Sequence, residues 1–107
     1  MPFMRELTKY IAFLRPNDGK IYGQINLYFN DHELRLFFLD PIDNLPPNSY
    51  DAANRVGNAY QPFSQYPHYL DLIRNEKPIL VTFRPEDTPP KFVVYCNFEP
   101  PGEGEIY

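Results

Sequence analysis

Apolar and polar residues alternate over residues 21–29, where Ile21, Ile25, Leu27 and Phe29 share one parity and Tyr22, Gln24, Asn26 and Tyr28 share the other. Successive side chains of a strand point to opposite faces, so this period of two predicts a half-buried β-strand. Asn30, Asp31, His32 and Glu33 then read as a tight turn. Beyond it Leu34, Leu36 and Phe38 return on one face and Arg35, Phe37 and Leu39 on the other, and the two segments are expected to pair antiparallel. Upstream, Pro16-Asn17-Asp18-Gly19 has proline at a turn-opening position and glycine where a positive φ is wanted, which makes residues 7–14 the first arm of a hairpin. A helical reading stays open beside it. Phe3, Leu7, Tyr10, Ile11 and Leu14 also fall on one helical stripe, with Pro2 suited to its first turn and Pro16 ending it.

Residues 41–62 show neither period and hold four prolines, four asparagines and Gly57, so a long loop is expected there. After it, Tyr66, Tyr69, Leu70 and Ile73 line one side of a short helix capped at Ser64 or Tyr66, tolerant of Pro67 in its first turn and stopped by Pro78. Two last strands, residues 79–84 and 92–98, are joined by a segment stiffened by Pro85, Pro89 and Pro90. The expected fold is α+β: one antiparallel sheet of four to five strands, in the order β-β-β-loop-α-β-β, with one short helix packed on one face. It forms a single domain over residues 1–98. Residues 99–107, with Glu99, Glu103 and Glu105, read as an acidic C-terminal extension.

Several strands are apolar on both faces: Leu36, Phe37, Phe38 and Leu39; Ile79, Leu80 and Val81; and Phe92 through Val93, Val94 and Tyr95 to Cys96. Such strands must be covered on both sides, and one short helix covers only one. The second cover is expected from a second chain, assisted by the 41–62 segment with its Ile42, Leu45, Tyr50, Val56 and Tyr60. A twofold homodimer is the simplest such arrangement.

Composition narrows the partners. At 107 residues the chain has room for one core. Its 14 acidic and 10 basic residues give a formal charge of −4, with the cations scattered, which argues against nucleic acid as a partner. A lone cysteine, Cys96, and two histidines give no disulfide within the chain and no zinc spacing; a cytoplasmic location is the expectation. The uncharged apolar stretch at residues 10–14 is too short to cross a membrane. No glycine-rich phosphate loop, Ser-His-Asp spacing or His-Glu-x-x-His occurs, and no cofactor is implied.

Nine Phe and nine Tyr are the unusual feature. Tyrosine and arginine anchor interfaces because each joins an apolar body to a polar handle. The candidate binding residues are therefore Tyr50, Asp51, Asn54, Arg55, Tyr60, Tyr66, His68 and Tyr69, against the alternative that these tyrosines fill the core. The expected role is a non-enzymatic binding or assembly module. It would self-associate through an apolar sheet face and present the Tyr-rich loop and helix start to a protein or small-molecule partner. The alternative is a hydrolase-type or metal-assisted enzyme, with Cys96 as nucleophile, His68 as base, Asp71 as its orienter, and Asp40, Asp43 and Asp51 around a cation.

Overall fold

The computed structural model describes residues 1–15, 20–40 and 45–96. The turn at residues 16–19, Ile42, Asp43, Phe98 and the acidic extension 99–107 lie outside the described residues. The fold is α+β, and the described residues form eight strands and one short helix: β1 (Phe3–Glu6), β2 (Lys9–Leu14), β3 (Ile21–Tyr28), β4 (Glu33–Leu39), β5 (Ser49–Asp51), β6 (Val56–Pro62), α1 (Tyr66–Asn75), β7 (Ile79–Arg84) and β8 (Lys91–Cys96). The strands divide between two sheets, of order β2-β3-β4-β6-β5 and β1-β7-β8, and every neighbouring pair is antiparallel except β4 and β6. Among the described residues no helix is long and apolar enough to cross a membrane.

Residues 3–14 are extended, and the chain changes sheets in their middle. The Leu7 N–H donates to the Ile79 carbonyl while the next N–H, of Thr8, donates to the Tyr28 carbonyl on the opposite side. Lys9 is itself the register partner of Tyr28, so two residues oppose one. That is a β-bulge, which bends a strand and re-aims it. The Thr8 hydroxyl also donates to the Tyr28 carbonyl at 2.8 Å, holding the bend.

The 41–62 segment, expected as a loop, contributes β5 and β6. Gly57 and Ala59 of β6 alternate as buried positions with partly exposed Val56, Asn58 and Tyr60. The period of two is real, but its inward residues are too small to register as an apolar pattern. They are small because the opposite sheet comes close: a Cβ placed on Gly57 would sit 2.6 Å from the Phe92 ring.

One face of the five-stranded sheet carries Ile25, Leu27, Leu34, Leu36, Phe38 and Ala59, and it packs against Val81 and Phe83 of the three-stranded sheet. The sequence reading of α1 holds in its apolar stripe, with Tyr66 and Ile73 buried and Tyr69 and Leu70 packed against the core. Its N-cap position is Gln65, after a 3₁₀ turn over Phe63–Gln65, and no side chain caps it. Tyr66 and Tyr69 meet the Phe38 ring edge-on at 5.1 and 5.5 Å. Tyr66 also lies over Gly23, where a Cβ would come within 2.8 Å of its ring.

The three-stranded sheet and α1 thus cover the same face of the five-stranded sheet. The outer face of the five-stranded sheet is polar along its middle: Arg15 donates to Gln24 at 2.6 Å, Gln24 to Asn26 at 2.9 Å, and Asn26 to the Tyr28 hydroxyl at 3.4 Å. Beside this ladder Arg35 pairs with Glu33 at 2.7 Å. β3 and β4 turn hydrogen-bonding side chains outward on this face, beside the stacked rings of Phe37 and Tyr60.

Candidate functional site

The candidate binding residues separate into two groups. Tyr50 and Asp51 of β5, with Asn54 and Arg55 of the turn that follows, lie at the end of the molecule where β3 turns into β4. Arg55 has φ of 59°, a left-handed conformation that reverses the chain into β6, and its carbonyl accepts the Glu33 N–H. Asp51 accepts the Asn54 backbone N–H and its side-chain amide, closing the turn, and these bonds hold its carboxyl below the usual range. Tyr66 and Tyr69 are instead core residues on α1, and burial raises the hydroxyl pKa of each. Tyr60 stacks on Phe37 at 5.3 Å on the outer sheet face, and His68 is exposed on the helix. The structure does not bring these four to the 50–55 turn.

What the turn does meet is a group that sequence reasoning took for turn chemistry alone. The His32 side chain is 8% exposed, and its Nδ1 lies 2.9 Å from Asp31 and its Nε2 2.9 Å from the Tyr50 hydroxyl. A carboxylate only accepts, so Nδ1 carries a hydrogen, and in the neutral ring Nε2 accepts from Tyr50. Phe3, Phe83 and Tyr50 surround the imidazole, with ring centroids at 4.9, 5.3 and 6.2 Å. Arg5 then grips Asp31 with two nitrogens, at 2.8 and 3.1 Å, while its guanidinium covers the Phe3 ring at 4.8 Å. Beside this group lies an open polar cleft of about 510 Å³, lined by residues 28–33 and 53–55. The only signal for it in the sequence is the Asp31-His32 pair, since Arg5 stands 26 residues away.

The Arg5 guanidinium, and after it His32, hold the Asp31 carboxyl well below the usual carboxylate range. A depressed folded pKa contributes stability above the ordinary value of about 3.9, and that contribution is lost as pH falls through the folded pKa. Asp31→Asn should therefore destabilise the protein at pH 7 but leave it less sensitive to acid. In urea titrations at stepped pH, the gap between wild type and variant should narrow below about pH 4. Parallel curves would show that Arg5 and Asp31 gain nothing from being paired.

Cys96 sits half-buried in β8 opposite Ile79, and Asp71 accepts the side-chain amide of Asn75. Among the described residues no hydrogen bond or ring contact joins His68, Asp71 and Cys96, and no three His, Cys, Asp or Glu side chains are placed to hold a metal ion. Asp40 is exposed at the end of β4.

A second surface lies along β2. It is the terminal strand of the five-stranded sheet, and among the described residues nothing pairs with its far side. Arg15 and Tyr22 continue the register as a hydrogen-bonded pair, so residues 9, 11 and 13 turn their peptide groups toward β3 and Tyr10, Ala12 and Leu14 turn theirs outward. Residues 10–14 carry no charge, and Ile11, Phe13 and Leu14 are 49, 37 and 62% exposed. Natural sheet edges are usually blunted by shortness, charge or cover. Two of the other edges follow that rule: β5 is three residues long with Asp51 at its end, and β1 has four residues, two of them Arg5 and Glu6, while β8 is six residues long and carries one charge, Lys91.

Next to the first half of β2 is a groove of about 750 Å³, with residues 6–10 on one wall and Ile73 and residues 76–79 on the other. Because Leu7 bonds to Ile79 on the side opposite Tyr28, this groove opens on the free side of β2. Its size is within the range of about 300–1,000 Å³ typical of ligand sites. Compared with known protein families, curated proteins and solved structures, the chain matches none.

Proposed function

We propose that this protein is a non-enzymatic binding and assembly module whose working surface is the free edge of β2, where it takes up an extended segment of a partner as an added strand. The observation that carries this reading is the unblunted edge itself: outward peptide groups at Tyr10, Ala12 and Leu14, between exposed apolar side chains, beside a groove bounded by the end of α1 and the start of β7. Strand addition draws affinity from main-chain hydrogen bonds and specificity from pockets that receive alternate side chains. β2 supplies the first and the groove the second. The cleft beside His32 is less suited to the role, since both imidazole nitrogens, Asp31 and Tyr50 are already engaged with one another.

A displayed library of random heptapeptides tests the reading. Selection on the intact protein should enrich sequences of alternating apolar residues. Their binding should be lost in Ala12→Pro, which removes one outward N–H without touching the bonds to β3. Recovery of peptides that bind Ala12→Pro equally well would place the working surface elsewhere, and so would a selection that enriches nothing.

A further inference from the structure

We infer that the strand received by β2 is the β2 of a second copy, running antiparallel about a twofold axis at Ile11; this rests on the strand-addition reading above. A twofold perpendicular to the sheet keeps each side chain on its own face, so a residue must meet one of the same parity. Four axes fall within β2, and one at Tyr10 pairs only residues 9–11 of the strand. An axis at Ala12 sets Lys9 opposite Arg15 of the other copy, two like charges directly opposed. An axis at Phe13 sets Tyr10, which turns its peptide groups outward, opposite Pro16, which has no N–H to donate.

An axis at Ile11 pairs Ile11 with itself, the large Tyr10 with the small Ala12, and Lys9 with Phe13. Lys9 already lies over the Tyr28 ring at 5.2 Å on the same sheet face, so a second ring beside it extends a contact the fold has begun. The same axis carries Leu14 of one copy one position past Lys9 of the other, to the bulge at Thr8 where β2 ends. Thr8 is on the wall of the 750 Å³ groove, with Leu7, Ile73, Pro78 and Ile79 around it. Leu14, 62% exposed, is an apolar knob, and the groove is its socket. Knob and socket stand three residues to either side of Ile11, so one rotation fills both grooves at once. That self-complementarity singles out a second copy over an unrelated peptide, because no other partner is obliged to carry the knob at that spacing. The product is a ten-stranded sheet running through both molecules.

The register is read by cysteine trapping in full-length protein carrying Cys96→Ser. Ile11 turns its peptide groups toward β3, so the Ile11 pair across the axis is a non-hydrogen-bonded one, with Cα atoms about 4.5 Å apart. That separation suits a disulfide. Ile11→Cys should therefore oxidise to a covalent dimer, while Ala12→Cys and Phe13→Cys should stay mostly monomeric. Sedimentation at micromolar concentration should show a dimer for wild type. Leu14→Asp should raise its dissociation constant about 100-fold, since each of the two buried leucines is worth roughly a factor of ten.

Preferential trapping at Ala12 or Phe13 would overturn the register. A monomeric wild type would overturn the second copy as partner, and if the peptide selection still depends on Ala12 the strand-addition reading stands without it. A dimer indifferent to Leu14→Asp but dissolved by Val93→Lys would move the seam to the outer face of the three-stranded sheet and overturn the inference.

Discussion

Phe83→Ala should lower the stability of the folded protein by about 3–5 kcal/mol, the range for emptying a fully buried aromatic site. Phe83 has no exposed surface and is the hub of the aromatic core. Phe3 stacks on it at 4.9 Å, and Phe29 and Phe92 meet it edge-on at 5.5 Å. Tyr50 and His32 complete the ring of neighbours at 6.4 and 5.3 Å. These come from both sheets and from the β3–β4 turn, so no single element can collapse into the space left behind. Domains of this size have about 5–15 kcal/mol in total, so the loss would take a large share of it. Denaturant titration should show a much lower midpoint with an unchanged slope. Phe83→Leu should cost less, since it keeps most of the volume and loses chiefly ring geometry worth about 0.5–1.5 kcal/mol per aromatic pair. A small effect of the alanine variant would mean that the two sheets do not share the core described here.

The same packing explains which parts of the fold were legible in the sequence. β3, β4, β7 and α1 each bury large apolar side chains at their characteristic period, and each was visible. β6 was not, because the facing sheet leaves room only for Gly57 and Ala59, and a strand whose inward residues are small has no apolar pattern to read. The split into two sheets was hidden for a different reason. It depends on a bulge at Thr8 and Lys9, where neither glycine nor proline marks the break, and on hydrogen bonds to Ile79 and Tyr28, both far along the chain.

The functional surfaces divide in the same way. Tyr50 and Arg55 stood out with Asp51 and Asn54 in a polar segment, and the four do share one end of the molecule. Tyr66 and Tyr69 stood out equally, yet they were drawn inward by the helical stripe that includes Ile73. A tyrosine in a sequence shows that it has an apolar body and a polar tip, and only the packing decides which of them faces solvent. The open edge of β2 had no local signal at all. Whether a strand is central or terminal is a property of sheet order, and among the described residues the order places β2 beside β3 alone.

Gly57→Ala should destabilise the protein by about 1–2 kcal/mol even though alanine is ordinarily the better residue inside a strand. Replacing glycine by alanine restricts the unfolded chain and gains about 0.4–1 kcal/mol where the folded site accepts the methyl group. This site does not accept it. The added Cβ would lie 2.6 and 2.8 Å from two atoms of the Phe92 ring and 3.1 Å from Leu34. The ring cannot swing aside freely, because its edge contact with Phe83 fixes it at an interplanar angle of 88°. Overpacking of this kind costs about 1–3 kcal/mol and outweighs the entropic gain. The decisive measurement is a double-mutant cycle with Phe92→Leu, which gives up the ring contact but frees the space over β6. Phe92→Leu should cost less in the Gly57→Ala background than alone, with a coupling of about 0.5–3 kcal/mol. Strict additivity would mean that β8 does not press on β6, and the closure of the two sheets at this end would have to come from residues other than these two.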